Sequence, residues 1–166
     1  GIKALEDLCS YAKEKDLLVL MDAKRGDIGS TSKAYASTFL EGGHLGRMVP
    51  SDALTINPYL GEDACEPFIE IAKKESAGLY VLVKTSNPGA ETFQNHGTPP
   101  LSDKIAEKVA EWGAQYMGEN GWSNIGAVIG ATRPQELKHF RKLMPQTPFL
   151  LPGFGFQGGT AEGLKS

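Results

Sequence analysis

Residues 17–27 read Leu-Leu-Val-Leu-Met-Asp-Ala-Lys-Arg-Gly-Asp, an apolar run that ends in a cluster of charged side chains. A short, continuous apolar run is typical of a strand that is buried on both faces of a parallel sheet. Side chains alternate between the two faces of a strand, so Asp22 and Lys24 should project the same way. The stretch therefore predicts a strand over residues 17–21 with an ion pair at its C-terminal end.

The carboxylates around Lys24 indicate acid–base chemistry. An ammonium group beside carboxylates stays charged, and a charged lysine can deliver a proton to a developing carbanion. Asp27 follows the flexible Gly26 and can turn back on this chain or reach a neighbouring one. A surface ion pair with no catalytic role is the alternative interpretation of the same residues.

Apolar runs and helical spacings alternate along the rest of the chain. The further predicted strands cover residues 53–56, 79–83, 125–129 and 149–151. The predicted helices run to about residue 15 and then over residues 30–40, 62–74, 102–117 and 132–143. Ser102 is the predicted N-cap of its helix. Strands that alternate with helices in this way predict parallel βα units, in either a doubly wound sheet or a (β/α)₈ barrel.

Composition places the chain among ordinary globular proteins. Its 166 residues are 40% hydrophobic and 22% charged, which predicts a single domain over residues 1–166. A net charge of -3 without a basic stripe gives no indication of a nucleic-acid partner. Cys9 and Cys65 are far apart and belong to no C-x-x-C motif, so both are predicted to be buried thiols. No apolar run approaches the ~18 residues of a membrane span, and the expected location is the cytoplasm.

Five motifs make the sequence resemble the orotidine 5′-phosphate decarboxylase family, in the variety found in many bacteria. The motif at residues 22–36, DAKRGDIGSTSKAYA, is highly specific. The others are TINPYLG at 55–61, VKTSNPGA at 83–90, GATRP at 130–134 and LPGFGFQGG at 151–159. The motifs follow the family's order over nearly the whole chain. The resemblance implies a (β/α)₈ barrel of the TIM type, with about five of its eight parallel strands in this chain as a partial barrel domain.

The resemblance also implies an activity, the conversion of orotidine 5′-monophosphate to uridine 5′-monophosphate in pyrimidine synthesis without a cofactor. Lys24 would protonate carbon 6 of the pyrimidine as carbon dioxide leaves. Asp22 would lie beside the substrate carboxylate, and Asp27 would come from the second subunit of a homodimer. The implied substrate contacts are Ile28 and Thr31 across the dimer, Ser86 at the pyrimidine, and Pro152 and Gln157 in a glycine-rich loop over the 5′-phosphate.

Several of these residues have simpler interpretations. Ile28 could be a core residue and Thr31 a helix N-cap, while Ser86 could simply belong to the turn before Pro88. Asn57 is expected to pack in the Asn-Pro-Tyr turn after its strand.

Two other functions stay open at this point. A magnesium-dependent phosphosugar decarboxylase or aldolase of the same superfamily would need another carboxylate ligand at a neighbouring strand end, where this chain offers Asn57 and Ser86. A non-catalytic barrel fragment is the third interpretation. It is favoured by what the sequence does not contain, which is the family's early aspartate and lysine and its phosphate-gripping arginine after the last strand.

Overall fold

The computed structural model describes residues 1–41, 49, 51–130 and 134–153, except for the side chain of Pro134. The chain divides into two compact units, Gly1–Leu79 and Tyr80–Ser166, and β3 runs from one into the other. In chain order the elements are α1 (Ile2–Glu14), β1 (Leu20–Arg25), α2 (Gly29–Leu40), β2 (Ala53–Ile56), α3 (Glu62–Lys74), β3 (Gly78–Lys84), α4 (Glu91–Gln94), α5 (Leu101–Ala114), β4 (Ile125–Ile129), α6 (Pro134–Leu143) and β5 (Phe149–Leu150).

The first unit is built around the parallel pair of strands β1 and β2. Leu20 lies opposite Ala53 and Met21 lies opposite Leu54. α2 packs against α3 and also contacts both strands. Apolar residues recur along α3 at spacings of three and four, which places them on one face of the helix. The fully buried side chains of this core include Leu40, Leu54, Ile56, Phe68 and Ala72.

β1 lies further along the chain than the sequence predicts. Leu17 and Leu18 are outside the strand, with exposed fractions of 58% and 88%, so the strand predicted over residues 17–21 was wrong at its start. The neighbouring strand begins at Ala53, and the backbone ladder with that strand sets where β1 begins. As a result, Asp22, Lys24 and Arg25 lie within the strand, whereas Asp27 follows it.

Both cysteines are buried and free, as predicted. Cys9 lies in α1 and Cys65 lies in α3. Burial raises the pKa of the Cys65 thiol to about 11, and the nearby charges of Asp63 and Glu62 act in the same direction. The thiol of Cys65 therefore stays protonated and unreactive near neutral pH.

The second unit has β4 at its centre. All five residues of β4 are buried, as its continuous apolar run predicts, and β5 pairs with it in parallel. α5 packs against both β4 and α6. The predicted N-cap of α5 was wrong, because the helix begins at Leu101 after Pro100 and Ser102 is buried inside it. Pro100 is itself the N-cap, with a non-helical ψ of 151°, and its carbonyl accepts the N–H groups of Asp103 and Lys104 at 3.0 and 3.2 Å.

The strands of the sheet follow the order of the chain, β1-β2-β3-β4-β5. A doubly wound sheet reverses its strand order at a switch point, whereas a (β/α)₈ barrel keeps chain order throughout. The observed order therefore favours the barrel class over the doubly wound alternative that periodicity left open. The assignment of residues 1–166 to one domain stays a prediction.

Candidate active site

Asp22 and Lys24 form a close ion pair on β1, as the sequence predicts. The ammonium nitrogen of Lys24 lies 2.6 Å from Oδ1 and 2.5 Å from Oδ2 of Asp22. The side chains of Lys24 and Asp22 are 46% and 56% exposed, so a ligand can reach both of them. The pair is therefore accessible for chemistry and is not buried in the core of the fold.

The backbone around Lys24 departs from a regular strand. Lys24 has a φ of +49°, in the left-handed region that few non-glycine residues adopt. The register with β2 is irregular here, because Met21 and Arg25 are four residues apart while their partners Leu54 and Ile56 are two apart. Such a bulge bends a strand and re-aims its side chains, and bulges are enriched beside active sites. Backbone strain of this kind, at roughly 1–3 kcal/mol, persists where the surrounding contacts enforce it.

The hydroxyl of Thr55 on β2 connects the two charged residues. Its Oγ1 accepts a hydrogen bond from the backbone N–H of Lys24 at 2.8 Å and donates one to Oδ1 of Asp22 at 2.9 Å. Thr55 is fully buried. The sequence interpretation gave Thr55 no role, although a hydroxyl in the otherwise apolar strand Ala-Leu-Thr-Ile was the available signal.

The surroundings of Asp22 favour its ionised form. The hydrogen bond from Lys24 and then that from Thr55 hold the pKa of the Asp22 carboxyl below its usual range, against the opposing effect of partial burial. A lowered folded-state pKa stabilises the protein above the unfolded pKa, and this contribution is lost as the pH falls through the folded pKa. The ion pair with Lys24 therefore persists from neutral pH into acid below the pH at which an ordinary aspartate protonates. Its effect on stability is small, because both side chains are half exposed.

Asp27 does not join this pair within its own chain. Its Oδ1 accepts the backbone N–H of Ile28 at 2.8 Å, and its carbonyl accepts a hydrogen bond from the hydroxyl of Ser32. Among the described residues it forms no ion pair. Ile28 is 61% exposed, so the core interpretation of this residue was wrong. Thr31 lies inside α2, whose N-cap is Ile28, so the N-cap interpretation of Thr31 was wrong as well.

In the second unit, the loop after β3 is held by the amides of two residues at the end of α4. Thr85 donates its backbone N–H to Oε1 of Gln94 at 2.9 Å, and Nε2 of Gln94 donates to Oγ1 of Thr85, also at 2.9 Å. The buried ammonium of Lys84 donates to Oδ1 of Asn95. These contacts fix the backbone immediately before Ser86, which lines a cavity of about 220 Å³. Neither α4 nor the contacts of Gln94 and Asn95 were predicted from the sequence.

Gly130, directly after β4, is the residue against which Ser86 packs. Its N–H donates to the carbonyl of Lys84 at 2.8 Å, and a Cβ at this position would lie 3.0 Å from Cβ and 3.1 Å from Cα of Ser86. Gly130→Ala must displace the Ser86 backbone, so we expect the free energy of unfolding to fall by about 1–3 kcal/mol in a denaturant titration.

Gly89→Ala is the matched control for this substitution. Among the residues that the structure describes, a Cβ at Gly89 would meet only the Asn87 side chain, at an ordinary 3.8 Å. This variant should stay within about 0.5 kcal/mol of the wild type. Equal stabilities for the two variants would show that Ser86 is not held against Gly130.

The remaining predicted site residues are placed as follows. Pro152 lies in the turn after β5, and Gln157 lies outside the described residues. Asn57 accepts the backbone N–H of Tyr59 on its side-chain oxygen at 3.0 Å, which matches the expected packing of the Asn-Pro-Tyr turn. Within the described ranges, no group of three or more His, Cys, Asp or Glu side chains is placed to hold a metal ion.

Strands in chain order, with an accessible carboxylate–lysine pair near the C-terminal end of one of them, define a protein of the (β/α)₈ barrel class with a candidate acid–base site. The family model described as "Orotidine 5′-phosphate decarboxylase / HUMPS family" matches residues 2–166. The chain belongs to this family.

Individual relatives agree with the family match. An orotidine 5′-phosphate decarboxylase from Caldicellulosiruptor bescii is 44% identical over 99% of this chain and 56% of its own length. One from Deinococcus radiodurans is 44% identical over 99% of this chain and 58% of its own. The structure of Leishmania donovani OMP decarboxylase matches with a TM-score of 0.74 and 34% identity, over 93% of this chain and 56% of that one. The predicted α/β barrel class is confirmed, and the chain spans about half the length of the curated relatives it matches.

Proposed function

We propose that this chain carries the catalytic centre of an orotidine 5′-monophosphate decarboxylase, which produces uridine 5′-monophosphate and carbon dioxide. The observation that carries the proposal is the contact between the Lys24 ammonium and the Asp22 carboxylate, 2.5–2.6 Å long and open to a ligand. The relatives at 44% identity support it, because their names state this activity.

In the proposed step, the bond between carbon 6 of the pyrimidine and its carboxylate breaks. Carbon dioxide leaves, the electron pair stays on carbon 6, and the Lys24 ammonium delivers a proton to that carbon. Asp22 lies beside the departing carboxylate, where its negative charge disfavours the substrate, which carries that carboxylate, relative to the product, which has lost it as carbon dioxide. The lowered pKa of Asp22 fits this role, because the carboxyl must stay ionised at neutral pH.

The proposal also assigns substrate contacts to three residues. Ser86 hydrogen-bonds the pyrimidine, and the amide contacts that fix the preceding Thr85 support this role. Pro152 and Gln157 belong to the loop that binds the 5′-phosphate, where glycine-rich backbone suits an anion.

We further propose that the active protein is a homodimer with shared sites. Asp27 has no ion-pair partner among the described residues of its own chain, which fits a partner lysine in the second subunit. Ile28, after β1, is 61% exposed, and Tyr59 and Leu60, after the adjacent β2, are 71% and 50% exposed. Exposed apolar side chains beside a charged site are typical of a surface that another subunit covers. Ile28 and Thr31 would then reach the partner's substrate.

We also propose that the protein acts in the cytoplasm on a free nucleotide substrate, without a nucleic-acid or membrane partner. None of the described helices is long and apolar enough to cross a membrane.

A chelator test separates this function from the magnesium-dependent alternative. We expect EDTA to leave the rate of orotidine 5′-monophosphate decarboxylation unchanged, because the proposed step uses only Lys24, Asp22 and Asp27. The rate is followed by the change in ultraviolet absorbance as orotidine 5′-monophosphate is consumed. A magnesium-dependent enzyme in the same buffer serves as the control for effective chelation. Loss of activity with EDTA and its return with added Mg²⁺ would contradict the proposal.

A further inference from the structure

We propose that Thr55 is a positioning residue that sets the geometry of the Asp22–Lys24 pair through a single hydroxyl group. It acts through the backbone of Lys24 and the carboxylate of Asp22, and it need not touch the substrate. Its effect on turnover rests on the proposed decarboxylation, whereas its effect on the geometry of the pair does not.

The hydrogen-bonding capacity of the Thr55 hydroxyl matches the two groups it faces. A hydroxyl has one O–H to donate and lone pairs to accept. Here the O–H points to Oδ1 of Asp22 at 2.9 Å, and a lone pair accepts the Lys24 N–H at 2.8 Å. The carbonyl of Met21 is a poorer acceptor for the same O–H, at 3.5 Å. Thr55 is fully buried, so water cannot easily replace these contacts.

The bulge in β1 explains why the contact is needed. At a bulge the ladder is disrupted, and an extra residue loses its regular backbone partner. The Lys24 N–H finds the hydroxyl of Thr55 in place of a ladder carbonyl, while Lys24 holds the strained φ of +49°. Without this acceptor, a lysine would return toward the extended region that its side chain favours. The hydroxyl therefore stabilises the backbone conformation that aims the ammonium at Asp22.

A purely structural role for Thr55 predicts something different. Thr55 is a β-branched residue in a strand, where valine fills the same space equally well. If only shape matters, Thr55→Val should be harmless and Thr55→Ser should be the worse variant. If the hydroxyl matters, the order reverses.

The experiment compares Thr55→Val and Thr55→Ser with the wild type in the intact protein. The primary measurement is the titration of the Asp22 carboxyl, followed by carbon-13 NMR. We expect Thr55→Val to raise the pKa of Asp22, because it removes a hydrogen bond to the ionised form, and Thr55→Ser to restore the wild-type titration. In the decarboxylation assay, Thr55→Val should lower kcat about 10²-fold with a smaller change in KM, as expected for a misplaced reactive group.

Hydrogen exchange at the Lys24 amide of the wild type should be slow, since Thr55 accepts that N–H, and this measurement does not depend on a folded variant. A wild-type protein that fails to turn over orotidine 5′-monophosphate would refute the proposed function, while titration and exchange would still decide the role of Thr55. Unprotected exchange at Lys24, or an Asp22 titration unchanged in Thr55→Val, would overturn the inference.

Discussion

Lys24→Ala should reduce kcat for decarboxylation by about 10²- to 10⁴-fold, which is the usual contribution of a positioned general acid. The variant removes the proposed proton donor for carbon 6, an interaction that develops in the transition state. Nucleotide binding should change much less, because the phosphate contacts lie elsewhere in the proposed site. Steady-state kinetics together with a binding measurement on uridine 5′-monophosphate separate the two effects.

Lys13→Ala is the control for this prediction. Lys13 lies in α1 and contacts Oδ1 of Asp52 at 2.5 Å, the distance at which Lys24 contacts Asp22. Loss of this other ion pair should leave kcat near the wild-type value, so the comparison isolates the chemistry of Lys24 from the loss of a charge pair. A near-normal kcat in Lys24→Ala would rule out Lys24 as the acid.

Mixing two inactive variants, Lys24→Ala and Asp27→Ala, should restore activity. Each homodimer lacks one component at both sites, whereas a heterodimer regenerates one intact site if Lys24 and Asp27 come from different chains. With free subunit exchange, half of the dimers are heterodimers with one of two sites intact, so about a quarter of the wild-type activity should return. The measurement is the decarboxylation rate after subunit exchange.

Subunit exchange must be shown independently, for example with differently tagged variants. The double variant, with both substitutions in one chain, is the negative control. It should stay inactive when it is mixed with either single variant, because neither mixture contains both Lys24 and Asp27. Confirmed exchange without recovery of activity would mean that Asp27 serves its own chain, and the shared-site proposal would fail.

The predictable parts of the fold are those with a regular pattern of buried residues. The bounds of β2 and β4, and those of α3, agree with the predictions, because a continuous apolar run or a regular helical stripe leaves one way to bury these residues. The start of β1 was predicted wrongly because pairing with Ala53, and not the apolar character of Leu17 and Leu18, decides which residues join the ladder.

The charged residues of the candidate site could be predicted from the sequence, whereas the residues that position them could not. Asp22 and Lys24 were predicted to meet, and they do. The left-handed backbone at Lys24 carries no sequence signal, because lysine has no preference for that region. Thr55 is 31 residues from Lys24, and its role exists only once the two strands are side by side. The amides of Gln94 and Asn95 likewise gain their roles from contacts with the end of β3.

The most direct test of the central claim is to incubate the intact protein with orotidine 5′-monophosphate in D₂O and to analyse the product by proton NMR. If Lys24 protonates carbon 6 as carbon dioxide leaves, the product is uridine 5′-monophosphate with deuterium at carbon 6, because the lysine ammonium exchanges its protons with solvent. Unchanged orotidine 5′-monophosphate after prolonged incubation with folded, dimeric protein would contradict the proposed activity.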